Sequence, residues 1–233
     1  MEDRRRVMRC AVAFTAAVMG STAACGAPGS AGQPVGSAPA PVATSIRSTP
    51  DSTASALIPV GYGSLRQDDI SIILQPNGVR VTAIPLEESI IRTLAPDSYR
   101  TLHATLEAKH DEILRRGSAR GVRNPRVWYV SFTGLVPDAR FVPTDITVSS
   151  GGREYRPIDV IALTSGFSEQ RVQPREVQRC LLLFDDQLDA SQSLTVTMGT
   201  ERNTDWDSIL QKLETARAEV RARAAGRPGN THH

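Results

Sequence analysis

The chain has 233 residues, 40% of them hydrophobic and 22% charged, with a formal net charge of +2. Its first 24 residues carry Arg4, Arg5, Arg6 and Arg9 against Glu2 and Asp3, which accounts for the whole excess and leaves the remainder neutral. A neutral body gives no electrostatic case for nucleic acid or for an acidic substrate, so no nucleic-acid partner is expected.

Taken in order, the N-terminus shows the arginine run, an apolar stretch over 10–19, the small residues Ser21, Thr22, Ala23 and Ala24, and then Cys25. The apolar stretch is short for a membrane span and its flanks are those of an export signal over 1–24. The ending Thr22-Ala23-Ala24-Cys25-Gly26 resembles the lipobox of bacterial lipoproteins, with Thr22 where that family usually carries Leu. The resemblance implies cleavage before Cys25, diacylation of its thiol with palmitate-like chains and, in many bacteria, acylation of the new amino group. Gly26 in place of the Asp that retains such proteins at the inner membrane implies an outer-membrane site facing the periplasm in a Gram-negative host. In a Gram-positive host the same anchor implies the outer face of the plasma membrane. An ordinary cleaved signal, with Cys25 merely beside the cut, is the alternative. The arginine run also loosely resembles a twin-arginine signal, with Val7 and Met8 replacing the usual Phe and Leu.

Residues 26–55 are dominated by Gly, Ala, Pro, Ser and Thr. Such a composition cannot bury enough apolar surface to offset ordering, so 25–56 is expected to be a disordered linker behind the lipidated cysteine. As a coil it reaches about 30 Å, enough to hold a domain off a membrane.

The remaining residues suffice for one core. Residues 57–62 read as a first strand or lead-in. The runs 70–74 and 79–84 are β-rich and separated by Gln75-Pro76-Asn77-Gly78, a hairpin signal. A helical interruption over 86–117 follows, with a short helix near 86–94 and an amphipathic one over about 96–116. Pro96 suits its first turn, Asp97 and Ser98 its capping, and Gly117 its end, with Tyr99, Leu102, Leu106, Ile113 and Leu114 on one face. Strands are expected over 127–135, 146–148, 154–155, 160–163, 179–184 and 193–198, with a glycine hairpin at Gly151-Gly152 and a polar loop over 185–193. A helix over about 205–225, capped by Thr204 or Asp205, should bury Trp206, Ile209, Leu210, Leu213, Ala216 and Val220. Residues 226–233 should fray.

The fold class expected is mainly β, with one domain over 57–202 and the C-terminal helix appended. The segments Trp128-Tyr129-Val130-Ser131-Phe132, Phe141-Val142-Pro143-Thr144-Asp145-Ile146, 152–157 and 181–195 together resemble the immunoglobulin-like β-sandwiches of exported bacterial lipoproteins of unknown function. That resemblance implies an antiparallel sandwich serving adhesion, assembly or ligand holding. The fold alone fixes none of these roles.

Several residue groups are candidates for chemistry. His103, Glu107 and His110 stand at i, i+4 and i+7, a spacing that offers zinc-type ligands on one helix face, or simply a solvated surface. Asp185, Asp186 and Asp189 are a candidate calcium loop, without the glycine punctuation of a dedicated one. Arg217, Arg221 and Arg223 form a basic surface that either meets anionic lipid headgroups or matches the helix dipole. The arginines near 115–126, with Trp128 and Tyr129, are a candidate anion reader. Cys180 sits in an apolar run and reads as an inert buried thiol. No nucleophile elbow, phosphate-cradling loop or dinucleotide fingerprint is present, so neither catalysis nor a cofactor is expected.

The reading is a membrane-anchored exported lipoprotein, tethered by lipid on Cys25, whose domain is a non-catalytic binding or assembly module with a protein partner in the envelope. Two alternatives stand beside it. One is an accessory subunit of a membrane complex, docking through its helices. The other is an envelope protein that binds a metal or a small ligand.

Overall fold

The computed structural model describes residues 58–226, so the expected signal, Cys25, the linker and the tail beyond 226 lie outside the described residues. The order of elements is β1 (Ile72–Leu74), β2 (Val79–Pro85), α1 (Glu88–Ile91), α2 (Pro96–Ala119), β3 (Arg126–Gly134), β4 (Ala139–Arg140) and β5 (Ile146–Ser150). Next come β6 (Arg153–Tyr155), β7 (Asp159–Ala162), β8 (Arg171–Val172), β9 (Val177–Phe184), β10 (Leu194–Met198), β11 (Glu201–Asn203) and α3 (Trp206–Ala225).

Two antiparallel sheets carry the chain. One has the order β1-β2-β3-β9-β7, the other β11-β10-β5-β6, and β4 and β8 form a separate two-stranded ribbon. The fold is a mixed one, with helices of 24 and 20 residues beside strands no longer than nine. The expectation of a mainly β chain is corrected accordingly: both long helices contribute to the core, one through Tyr99, Leu102 and Ile113 and the other through Trp206, Ile209 and Leu213.

Turn chemistry sets the register. Asn77 (φ 49) and Gly78 (φ 75) are both left-handed between β1 and β2, and Leu74 pairs with Val81 across them. Two consecutive positive φ values make the turn whose twist matches antiparallel strands. Gly151 (φ 56) and Gly152 (φ 77) do the same between β5 and β6, where Ser150 faces Arg153.

β3 is the central strand of its sheet. Trp128, Val130 and Phe132 lie on one face, opposite Leu182, Cys180 and Gln178 of β9. Tyr129 and Ser131 lie on the other face, opposite Leu181 and Arg179. Alternation along the pleat puts apolar residues on both faces, so both must be covered. The Phe132, Phe141 and Phe167 rings pack together on the first face, with Phe132 stacked on Phe141 at 4.1 Å. The second face is covered by α2.

α2 starts at Pro96, whose missing N–H is no loss at the first helical position. Ala95 occupies the N-cap without a side-chain bond, so the capping expected of Asp97 and Ser98 is not made. The helix also runs past Gly117. That glycine is buried because Pro125 and the Val122 carbonyl approach it: an added Cβ would lie 2.8 Å from each. The stop comes at Gly121 (φ 79), with Val122 N–H donating to the Gly117 carbonyl and Gly121 N–H to that of Ser118. This pair of bonds is the Schellman closure of a helix C-terminus.

Elsewhere the chain departs from expectation in short pieces. Of the stretch read as a first strand or lead-in, residues 58–62 hold no strand and turn at 60–61, and 67–70 form one turn of 3-10 helix before β1. α1 is a single turn because the Thr93 hydroxyl bonds the Ile90 carbonyl at 2.6 Å and Pro96 follows. β11, a strand that was not expected, pairs with β10 just before the helix. Asp205 makes no side-chain cap; its N–H instead donates to the Asn203 side chain at 2.9 Å.

Candidate functional site

α2 is pinned to its surroundings at both ends. Near its N-terminus the Tyr99 and His103 rings stack at 5.2 Å, and His103 Nδ1 lies 3.0 Å from Glu88 Oε1 of α1. Glu88 Oε2 also accepts from Arg92 Nε at 2.6 Å. Near the C-terminus Arg116 Nη1 donates to Asp159 Oδ1 at 3.1 Å and to the Val160 carbonyl at 3.3 Å, both on β7. Leu102 and Ile113 are buried between these pins.

Between the two pins the helix presents Ala104 and Ala108, one turn apart, with Thr105 and Lys109 beside them. These short side chains leave a cleft of about 400 Å³ against the outward face of the five-stranded sheet. Tyr129, Leu163, Thr164 and Arg179 form its far wall. The Thr164 hydroxyl is held in place, donating to Gln178 Oε1 and accepting from Arg179 N–H at 3.0 Å. Burial pushes the Tyr129 phenol above its usual range, with the Arg179 guanidinium pulling the other way, so the phenol stays protonated and can donate. The volume lies within the range of small-ligand sites, about 300–1,000 Å³. Sequence reasoning missed this cleft because it depends on which helix face meets which sheet face. The only trace in the sequence is the Ala104/Ala108 spacing.

Two further cavities are present among the described residues. A groove of about 440 Å³ runs along α3 beside Leu65, and a polar pocket of about 280 Å³ holds Glu169, Arg171 and Glu176.

The residues singled out from the sequence fall as follows. His103 turns to Glu88, while Glu107 and His110 are exposed, and no group of three metal-ligating side chains stands together among the described residues. Asp185 accepts from Gln187 N–H at 2.9 Å. Asp189 accepts from the Ser191 hydroxyl at 2.7 Å, from Ser191 N–H at 2.8 Å and from Gln192 Nε2 at 3.0 Å. Those bonds, the Ser191 hydroxyl first, hold the Asp189 carboxyl below its usual range. These acids fold their own loop, and Asp186 offers its carbonyl to Arg126 Nε at 3.2 Å.

The basic surface divides. Arg217 is 15% exposed, gives Nε and Nη2 to the Ser89 carbonyl at 3.2 and 3.0 Å, and pairs with Glu214. It is therefore a structural tie between α3 and α1 and no part of a free basic face. Arg223 reaches the Ser64 hydroxyl at 3.1 Å and Glu219 at 3.4 Å; Arg221 is exposed. In the region after α2, Arg120 approaches Asp159 at 3.8 Å and Arg126 approaches Glu87 at the same distance, so those arginines face carboxylates. Cys180 is fully buried, and burial raises its thiol far above the usual range, leaving it inert. Cys25 lies outside the described residues.

No protein-family model matches the chain, no curated protein sequence matches it significantly, and no solved structure matches its fold significantly.

Proposed function

We propose that the protein is an exported, lipid-anchored envelope protein whose ordered domain is a non-catalytic binding module. In this reading Cys25 carries the lipid, the Gly/Ala/Pro/Ser segment spaces the domain from the membrane, and the domain is an immunoglobulin-like sandwich with two helical additions. The anchor sits in the outer membrane facing the periplasm in a Gram-negative host, or on the outer face of the plasma membrane in a Gram-positive one.

The observation that carries the reading is the lipobox-like Thr22-Ala23-Ala24-Cys25-Gly26 followed by a stretch over 26–55 dominated by Gly, Ala, Pro, Ser and Thr. Two antiparallel sheets contributing to one continuous core support the sandwich. The open cleft beside α2 supports ligand holding over docking through the helices. The apolar face of α2 that a docking element would use is occupied, with Tyr99 and Leu102 buried.

Fractionation of the native host tests the tether. The wild-type chain is expected in the membrane fraction and a Cys25→Ala chain in the soluble one. Equal partition of the two overturns the tether.

A further inference from the structure

The three cavities differ in charge. The α3 groove sets Lys212 against Glu219, and the polar pocket sets Arg171 against Glu169 and Glu176. The cleft between α2 and the five-stranded sheet has no acidic residue in its lining and has two cations, Lys109 and Arg179. Lys109 shares its charge with Glu112 at 3.0 Å, whereas Arg179 has no ion-pair partner among the described residues. A guanidinium in the wall of a cleft is a ready partner for a carboxylate-type head group.

The rest of the lining is suited to the other end of such a molecule. Ala104, Ala108, Leu163 and the Tyr129 ring make an apolar wall, with the Thr105 hydroxyl and the Tyr129 phenol at its border. The helix that borders the site is tied to its surroundings on both sides of the gap, at one end to Glu88 and at the other to Asp159. A preformed cleft loses little entropy on taking up a ligand.

We propose that this cleft binds a small amphiphilic monoanion, with its apolar body against Ala104, Ala108 and Tyr129 and its anionic head on Arg179. The site needs neither a metal nor a covalent step. It rests on the binding-module reading but not on the tether.

The test uses the full chain bearing Cys25→Ala, so that no acyl chain competes, titrated calorimetrically with decanoate, decanol and decyltrimethylammonium. Decanoate is expected to bind one molecule per chain, and the cation not to bind. Arg179→Met removes the charge while keeping most of the stem, and is expected to weaken decanoate at least about tenfold. Ala108 is exposed on the helix, so Ala108→Leu fills the cleft without straining the core and is expected to abolish binding. No saturable binding of any probe overturns the site, and so does decanoate binding that survives Ala108→Leu. Binding of the cation or of decanol as tight as that of decanoate, but lost in Ala108→Leu, overturns the anionic class alone and leaves a binding module standing.

Discussion

Replacing Arg217 by Met separates two roles for the basic end of α3. Its guanidinium donates twice to one acceptor, the Ser89 carbonyl, at 3.2 and 3.0 Å, and the side chain is 15% exposed. Ser89 lies in the single turn of α1, where Thr93 N–H turns back to the Ile90 carbonyl and leaves Ser89 without that helical partner. Carbonyls at a helix end need such outside donors. A hydrogen bond from a charged donor contributes about 1.5–3 kcal/mol net. Two bonds sharing one oxygen do not add, so the tie is worth about 2 kcal/mol. For a domain of this size that corresponds to a fall in Tm of about 4–8 °C. Met keeps the apolar stem, which confines the loss to the guanidinium. Arg221→Met, on an exposed side chain, should stay within about 0.5 kcal/mol of the parent. Urea unfolding followed by tryptophan fluorescence reads both, Trp206 being in the same helix. Equal stability of the two variants would refute the tie. Unchanged stability with reduced binding to anionic vesicles in both would return Arg217 to a membrane-facing surface.

Trp206 is fully buried and its indole N–H donates to the Ala190 carbonyl at 3.0 Å, so Trp206→Phe should cost about 2–4 kcal/mol in urea unfolding. Gly134→Ala would put a Cβ 2.2 Å from the Gln173 carbonyl and should cost at least about 3 kcal/mol, while Gly121→Ala meets open space and only its φ of 79 opposes it, at about 1 kcal/mol; comparison of their Tm values checks the order. Burial raises the Glu87 carboxyl above its ordinary 4.5, with Arg126 opposing. Between the unfolded and folded values the native state holds the extra proton, so this group's contribution is present below about pH 4.5 and is lost as pH rises through the raised value. The stability of the parent relative to Glu87→Gln should therefore fall as pH rises from about 4 to 7, read by urea midpoints at each pH.

Turn and periodicity signals in the sequence reached much of this fold. Asn77-Gly78 and Gly151-Gly152 are local devices that need no tertiary information, and both hairpins form where they point. The buried face of α3 follows from its spacing, since Trp206, Ile209, Leu213, Ala216 and Val220 recur at helical period. Gly117 misled because a glycine that admits a neighbouring backbone reads, in sequence, like one that ends a helix. The true stop, Gly121 followed by the buried Val122, had a weaker signature. β11, with the polar residues Glu201, Arg202 and Asn203, carries no strand signal and exists because Gly199 turns it back on β10.

The candidate sites were less legible. Spacing placed His103, Glu107 and His110 on one helix, but Glu88, fifteen residues upstream of His103, captures that ring. Arg217 read as surface because its acceptor, a main-chain carbonyl 128 residues away, has no sequence signal. The cleft beside α2 belongs to the same class. Ala104 and Ala108 meet Tyr129, Leu163 and Arg179 only after the helix has docked across the sheet.

The central claim is the tether, and intact mass of the protein extracted from host membranes tests it most directly. The account predicts a mature chain beginning at Cys25, heavier than its sequence by at least a diacylglyceryl group, whose two ester-linked chains alkaline hydrolysis removes. An unmodified chain, or one cut elsewhere with Cys25 carrying no lipid, would contradict it.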